Sequence, residues 1–322
     1  MTKTRIGVIR GGVGDEYEVS LKTGSNVLKN IPQDKYSIFD ILITKDKQWH
    51  INGFPTTLEK LVSQIDVGLN ALHGEYGEDG KIQHDLEQFG INYTGSNSFA
   101  SAVAMNKAVA KYYFKKEGML VPESSVVKNT DDIEASAVRV FKKILGPYVV
   151  KPVASGSSVG VSIVNDFDSL LNAMQETLEN FPMIIIEEYI GGREITCGVI
   201  DGMTAREPYA TFPVEIITPS ESQFFDYKVK YSGETMEVCP ANLLESTTKK
   251  IQEHATMAHK VLGLRHYSRS DFILSKRGLY ILETNSLPGL TEESLFPKAL
   301  KTAGLEFPEF LDYILTLALE RE

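Results

Sequence analysis

Two acids and an amide recur at alternating positions in Arg269-Ser270-Asp271 and Glu283-Thr284-Asn285, on either side of the polar stretch Ser275-Lys276-Arg277-Gly278. Apolar-rich runs flanking a short loop that ends in glycine predict a β-hairpin, its last loop residue in the left-handed region that glycine adopts without strain. A three-residue loop of Lys276, Arg277 and Gly278 sets Ser275 against Leu279, Ile273 against Ile281 and Asp271 against Glu283. Opposed residues project to one side of an antiparallel pair, and the period of two adds Asn285 to that side. Two carboxylates about 5 Å apart between Cβ atoms repel unless something neutralises them. Hard oxygen ligands of this kind suit Mg²⁺, which takes one or two carboxylates together with nucleotide phosphates. A solvated polar face is the alternative. The turn Ser286-Leu287-Pro288-Gly289, directly after the acids, weighs against it.

Other stretches carry complementary chemistry. Lys151-Pro152-Val153-Ala154-Ser155-Gly156-Ser157-Ser158-Val159-Gly160 puts a lysine at a strand end before a small-residue loop. Its N–H groups can fold around phosphates while the ammonium neutralises them. It lacks the Gly-Lys-Thr/Ser of a Walker loop, so another nucleotide scaffold is required. Gly11-Gly12-Val13-Gly14-Asp15-Glu16 opens a helix after a first strand, an anion-binding arrangement whose spacing is not that of a dinucleotide fingerprint. His73-Gly74-Glu75-Tyr76-Gly77-Glu78-Asp79-Gly80 leaves a strand at its carboxyl end, where ligands bind in open α/β sheets. Glu187-Glu188-Tyr189-Ile190 ends a buried strand; its backbone could pair with an adenine edge and Glu194 could hold ribose hydroxyls, a salt-bridged turn being equally compatible. The long polar segment 218–240, with Phe225-Asp226-Tyr227-Lys228-Val229-Lys230-Tyr231, has the length and content of a lid; disorder is the competing account. Lys107, on a helix with Lys111, Lys115 and Lys116, is expected to face solvent by default.

These loops need a scaffold of strands and helices. Strands are expected over residues 5–10, 37–44 and 66–72, with helices over 18–29, 58–64 and 81–89, giving an open, mainly parallel sheet. A long helix over 99–116, capped by Asn97 or Ser98, carries the chain across a boundary near residue 100. Mixed α/β elements follow to residue 190, and a third unit over 191–322 holds the lid and the hairpin. The 322 residues suffice for two or three domains with sizeable cores. Charged residues are 24% and the net charge is −10, which disfavours a nucleic-acid or anionic-membrane platform. No signal-peptide pattern or membrane-length apolar run is apparent, and two cysteines, Cys197 and Cys239, are expected to be reduced thiols in a cytoplasmic protein.

Taken together, His-Gly-x-x-Gly-Glu-Asp-Gly at 73–80, Lys-Pro with Gly-Ser-Ser-Val-Gly at 156–160, Asp-Tyr-x-x-Lys-Tyr at 226–231, and Arg-x-Asp with Glu-x-Asn-x-x-Pro-Gly at 269–289 resemble the D-alanine–D-alanine ligase family of ATP-grasp enzymes. The likeness runs nearly end to end. It implies an α/β fold in three domains enclosing ATP, and a reaction in which ATP phosphorylates one D-alanine and the amine of a second attacks the acylphosphate. By the same resemblance Glu16 orients the first substrate's ammonium, His73 lies near that substrate, and Ser157 and Tyr231 link the first loop to the closed lid. Lys107, Lys151, Glu187, Glu188, Tyr189, Ile190, Glu194, Lys230 and Leu282 match the nucleotide site, with Lys230 reaching the γ-phosphate. Asp271, Glu283 and Asn285 match ligands of Mg²⁺ or Mn²⁺, two ions in all. Arg269 and the Gly289 N–H match oxyanion stabilisers, and Ser294 with Leu295 matches the contact to the second D-alanine. The resemblance also implies peptidoglycan precursor synthesis, a homodimer, and no nucleic-acid or membrane partner. A different second amino acid such as D-serine, or a non-catalytic nucleotide-binding homologue, are the alternatives. Gly14, Phe225, Ser270 and Thr284 depart from the family pattern.

Overall fold

A computed structural model describes residues 3–156, 160–204, 207–217 and 236–320. The first sheet is built from β1 (Thr4–Gly11), β2 (Tyr36–Ile43), β3 (Trp49–Ile51), β4 (Phe54–Thr56), β5 (Val67–Asn70) and β6 (Asn92–Tyr93), ordered β4-β3-β2-β1-β5-β6. The four strands β2, β1, β5 and β6 are parallel, as the alternation of strand and helix predicts. The hairpin β3–β4 is an addition that pairs antiparallel with β2. Its turn is Asn52-Gly53, both at positive φ (50° and 84°), the tight hairpin turn that this dipeptide favours. Helices α1 (Tyr17–Asn30), α2 (Leu58–Leu61) and α3 (Lys81–Gln88) connect the strands.

The single helix expected over 99–116 is two helices, α4 (Ser98–Met105) and α5 (Lys107–Lys116). Asn106 divides them at φ −84°, ψ 96°, and its side-chain oxygen caps α5 by accepting from the Val109 N–H. The break frees the Lys107 N–H to donate to the Val153 carbonyl, tying the start of α5 to the small-residue loop.

The second sheet, β7 (Ser124–Lys128), β8 (Tyr148–Pro152), β9 (Ser162–Val164) and β10 (Met183–Glu188), is antiparallel in the order β7-β10-β8-β9 and is backed by α6 (Ile133–Lys143) and α7 (Phe167–Asn180). The third contains β11 (Arg193–Thr204), β12 (Glu207–Ala210), β13 (Val214–Ile217), β14 (Met236–Val238), β15 (Tyr267–Ser275) and β16 (Gly278–Asn285), with α8 (Glu245–Val261) packed on one face. The chain closes with α9 (Leu295–Thr302) and α10 (Phe307–Leu319). Phe310, Leu311 and Ile314 of α10 share a core with Ile6, Val8 and Leu69 of the first sheet, so the end of the chain is anchored on its beginning. Among the described residues no helix is long and apolar enough to cross a membrane.

Candidate active site

The hairpin β15–β16 reaches the expected opposition of acids by an unexpected route. Its loop has two residues, Lys276 and Arg277, so Ser275 pairs with Gly278 and Phe272 with Ile281; Ile273 faces Tyr280 rather than Ile281. A β-bulge then shifts the register by one, and Asp271 meets Glu283. Leu282 is the extra residue. Ile281 is buried in the core beneath the sheet, and strict alternation would turn Glu283 to that same side. The bulge turns it over, so Glu283 and Asn285 join Arg269 and Asp271 on the face lining a cleft of about 370 Å³. Ser270 and Thr284 face the core side, fully buried, with their hydroxyls 2.8 Å apart. Ser270 and Thr284, the two departures from the family pattern beside Asp271 and Glu283, are thus each other's partner.

The cleft lies between the second and third sheets. Lys107 from α5, Lys151 from β8, Glu187 and Glu188 from β10, and Glu194 from β11 line it, with Tyr189 and Ile190 of the linking segment. Leu282 and Leu295 line it as well. Lys107, expected to face solvent, is buried: its Nζ donates to the Ser155 carbonyl at 2.7 Å and stands 3.6 Å from Glu283 Oε2. Glu187, 2% exposed, holds Lys111 at 3.1 Å on one carboxylate oxygen and Lys151 at 3.1 Å on the other. Glu188 accepts from Arg277 at 2.8 Å, fastening the hairpin tip to β10. Arg269 donates twice to Asp271, at 2.9 and 2.8 Å, and Thr196 donates to Asp271 Oδ1 at 2.8 Å.

Charge in this cleft is strongly mutual. Burial would raise the Glu283 carboxyl, yet Lys107, Lys151, Lys111 and Arg269 outweigh it and hold it at about 2. Burial pulls the Lys111 ammonium down to about 8 against the opposing pull of Glu187. Glu187 is likewise held below the usual carboxylate range, because Lys111 and Lys151 overcome the burial that would raise it. Arg269 is raised despite burial by Asp271.

Glu16 and His73 do not line that cleft, but they adjoin it. Glu16 precedes α1 and is buried against two glycines, Gly74 and Gly156, of which Gly156 also lines the cleft. A Cβ on Gly156 would fall 2.6 Å from Glu16 Oε2, and one on Gly74, at φ +64°, would collide with the same carboxylate. Both loops therefore need glycine for their backbones to approach the acid. His73 is fixed by Thr23 Oγ1 at 2.8 Å on Nε2 and Glu78 Oε1 at 3.4 Å on Nδ1. Gly289 packs against Ser294, whose Oγ meets the Thr291 hydroxyl at 2.7 Å. Asn26 of α1 donates to the Leu290 carbonyl at 2.8 Å, joining the first loop's helix to the Pro-Gly turn. Ser157, Lys230 and Tyr231, and residues 218–235 of the lid expected over 218–240, lie outside the described residues.

Lys111, Thr196 and Thr23 are site-supporting residues that the sequence reasoning passed over. Lys111 had a readable signal: Lys107, Ala110, Lys111 and Phe114 form one buried helical stripe. Thr196 had none, since its contact spans 75 residues.

The donor set suits a hard divalent cation. Asp271, Glu283 and Asn285 offer two carboxylates and an amide oxygen, and phosphate oxygens would complete the shell.

A mainly parallel sheet beside two antiparallel sheets that close on a cleft of lysines and opposed acids defines an ATP-grasp ligase. The family model described as the D-ala D-ala ligase C-terminus matches residues 113–316, and that of the N-terminus matches 5–60 and 52–96. The chain belongs to the D-alanine–D-alanine ligase family. It is 40% identical to the D-alanine–D-alanine ligase of Syntrophobacter fumaroxidans, over 99% of this chain and 98% of that protein. The ATP complex of the Bacillus anthracis D-alanine–D-alanine ligase superposes with a TM-score of 0.81 at 32% identity, covering 98% and 97% of the two chains. The VanG D-Ala:D-Ser ligase of Enterococcus faecalis gives 0.88 at 31% identity, covering 98% and 100%.

Proposed function

We propose that the cleft carries out its family's reaction, with its own residues in the family's roles. The chain is an ATP-dependent ligase that joins two D-alanines into D-alanyl-D-alanine for peptidoglycan precursor synthesis. The observation that carries the assignment of roles is the facing pair Asp271 and Glu283, compensated by cations from α5, β8 and β15 in one cleft.

Lys107 and Lys151 bind the phosphates of ATP, and Glu188, Tyr189, Ile190, Glu194 and Leu282 surround its nucleoside. Asp271, Glu283 and Asn285 would hold Mg²⁺ or Mn²⁺, which when bound would supply positive charge to offset that of the phosphates. Glu16, with His73 behind the same glycine loop, receives the first D-alanine's ammonium, leaving its carboxylate toward the cleft. ATP's terminal phosphoryl group passes to that carboxylate and ADP leaves. The second D-alanine, its carboxylate at Ser294 and Leu295, attacks through its deprotonated amine; Arg269 and the Gly289 N–H stabilise the oxyanion of the tetrahedral intermediate, whose collapse breaks the carbon–oxygen bond to phosphate as the nitrogen gives up its extra proton to the departing phosphate or to water. Ser157, Lys230 and Tyr231 complete this assignment by resemblance, closing the lid so that water does not hydrolyse the acylphosphate. A three-domain division at residues 100 and 190, a cytoplasmic location and a homodimer belong to the same proposal, carried by the family.

Incubation with ATP, Mg²⁺ and a panel of D- and L-amino acids, with phosphate release measured and the dipeptide identified by mass, tests it. D-alanine-dependent phosphate release with D-alanyl-D-alanine as product is expected. Preferential formation of D-alanyl-D-serine would overturn the second-substrate assignment. Glu283→Gln should abolish turnover at ordinary Mg²⁺ with the fold retained, and near-normal rates would contradict the metal assignment.

A further inference from the structure

The bulge at Leu282 is what turns Glu283 toward the cleft, so whatever fixes the bulge fixes that acid. A bulge leaves its extra residue outside the ladder, and its backbone carbonyl must find another donor. Here the Leu282 carbonyl accepts from Lys111 Nζ at 2.7 Å. The same ammonium stands 3.1 Å from Glu187 Oε1, while Glu187 Oε2 holds Lys151 at 3.1 Å. Lys111 is not among the residues lining the cleft, and its side chain is 4% exposed. It does not line the cleft, yet it touches the two supports on which the cleft's charge depends.

We infer that Lys111 is a positioning residue for nucleotide binding. It locks the β16 bulge that presents Glu283 and balances the Glu187 carboxylate that aims Lys151. Without the ammonium, the Leu282 carbonyl loses its donor and the bulge can relax toward regular pairing. Glu187, left with Lys151 as its one cation at salt-bridge distance, then draws that lysine away from the phosphates. The inference rests on the cleft being the ATP site. It goes beyond that assignment by giving a buried lysine outside the cleft a defined effect inside it.

The test compares Lys111→Met, which removes charge and donor, with Lys111→Gln, which removes the charge, and Lys111→Arg, which keeps both. ATP affinity is measured by titration calorimetry with and without Mg²⁺, alongside KM for D-alanine. Lys111→Met should weaken ATP binding about tenfold, the scale on which supports behind a ligand act, with the larger loss in the presence of Mg²⁺. KM for D-alanine should stay within about twofold, and Lys111→Arg should recover most of the affinity. If Lys111→Met does not fold, Lys111→Gln takes its place in the comparison. ATP affinity within twofold of the parent would overturn the inference, and so would equal losses toward ATP and D-alanine, which a general loosening of the fold produces. A parent protein that fails to bind ATP would instead sink the nucleotide-site assignment.

Discussion

Ser270 and Thr284 offer a quantitative check on how the hairpin is held. Each hydroxyl has the other, at 2.8 Å, as its hydrogen-bond partner, and the two residues are 0% and 2% exposed. Ser270→Ala leaves the Thr284 hydroxyl buried without a partner, and Thr284→Val does the same to Ser270. An orphaned buried hydroxyl costs about 1–3 kcal/mol, whereas removing both groups together is close to neutral. For a chain of this length 1 kcal/mol corresponds to about 1.5 °C in Tm, so each single variant should melt about 2–4 °C low. The double variant should melt within about 1 °C of the parent. Thermal unfolding of the four proteins measures the coupling directly. If the double variant loses the sum of the two single losses, the hydroxyls are not partners and the Ser270–Thr284 register on the core side of the bulge is wrong.

Gly74→Ala adds a Cβ against the Glu16 carboxylate at a left-handed backbone position. KM for D-alanine should rise about tenfold or more while KM for ATP moves less than about twofold, as initial-rate kinetics would report. Asn106→Ala removes the cap of α5 and should cost about 0.5–2 kcal/mol in urea unfolding, together with a higher KM for ATP because Lys107 is the next residue. His266, held down at about 4 chiefly by burial and then by Arg265, is neutral in the folded protein at neutral pH and accepts from the Gly95 N–H. Since its folded value lies below the ordinary 6.5, its contribution is present above pH 6.5 and lost as pH falls toward 4, roughly 3 kcal/mol in all. His266→Asn keeps an acceptor and tolerates the positive φ of 66°, so its Tm should fall less steeply than the parent's between pH 6.5 and 4; parallel curves would refute the point.

The sequence by itself determined the class of fold, the order of its loops, and the two facing acids and the Lys151 loop of the cleft; the family resemblance supplied its other residues. Those signals are local: a strand period, a glycine where the backbone must turn, acids at alternate positions. It also read the parallel first sheet, but passed over the β3–β4 hairpin although Asn52-Gly53 marks its turn. The tertiary structure decided what depends on partners distant in the chain. Whether Lys107 and Lys111 face water or the interior is set by Glu283, Glu187 and the Leu282 carbonyl, all more than 70 residues away. Asp271 and Glu283 face each other through a two-residue loop and a bulge, where a three-residue loop without one would have given the same opposition. Local pattern could not choose between those routes, because the choice rests on Ile281 entering the core while its near neighbour Glu283 must leave it, and only the packed sheet fixes which residue absorbs the change of face.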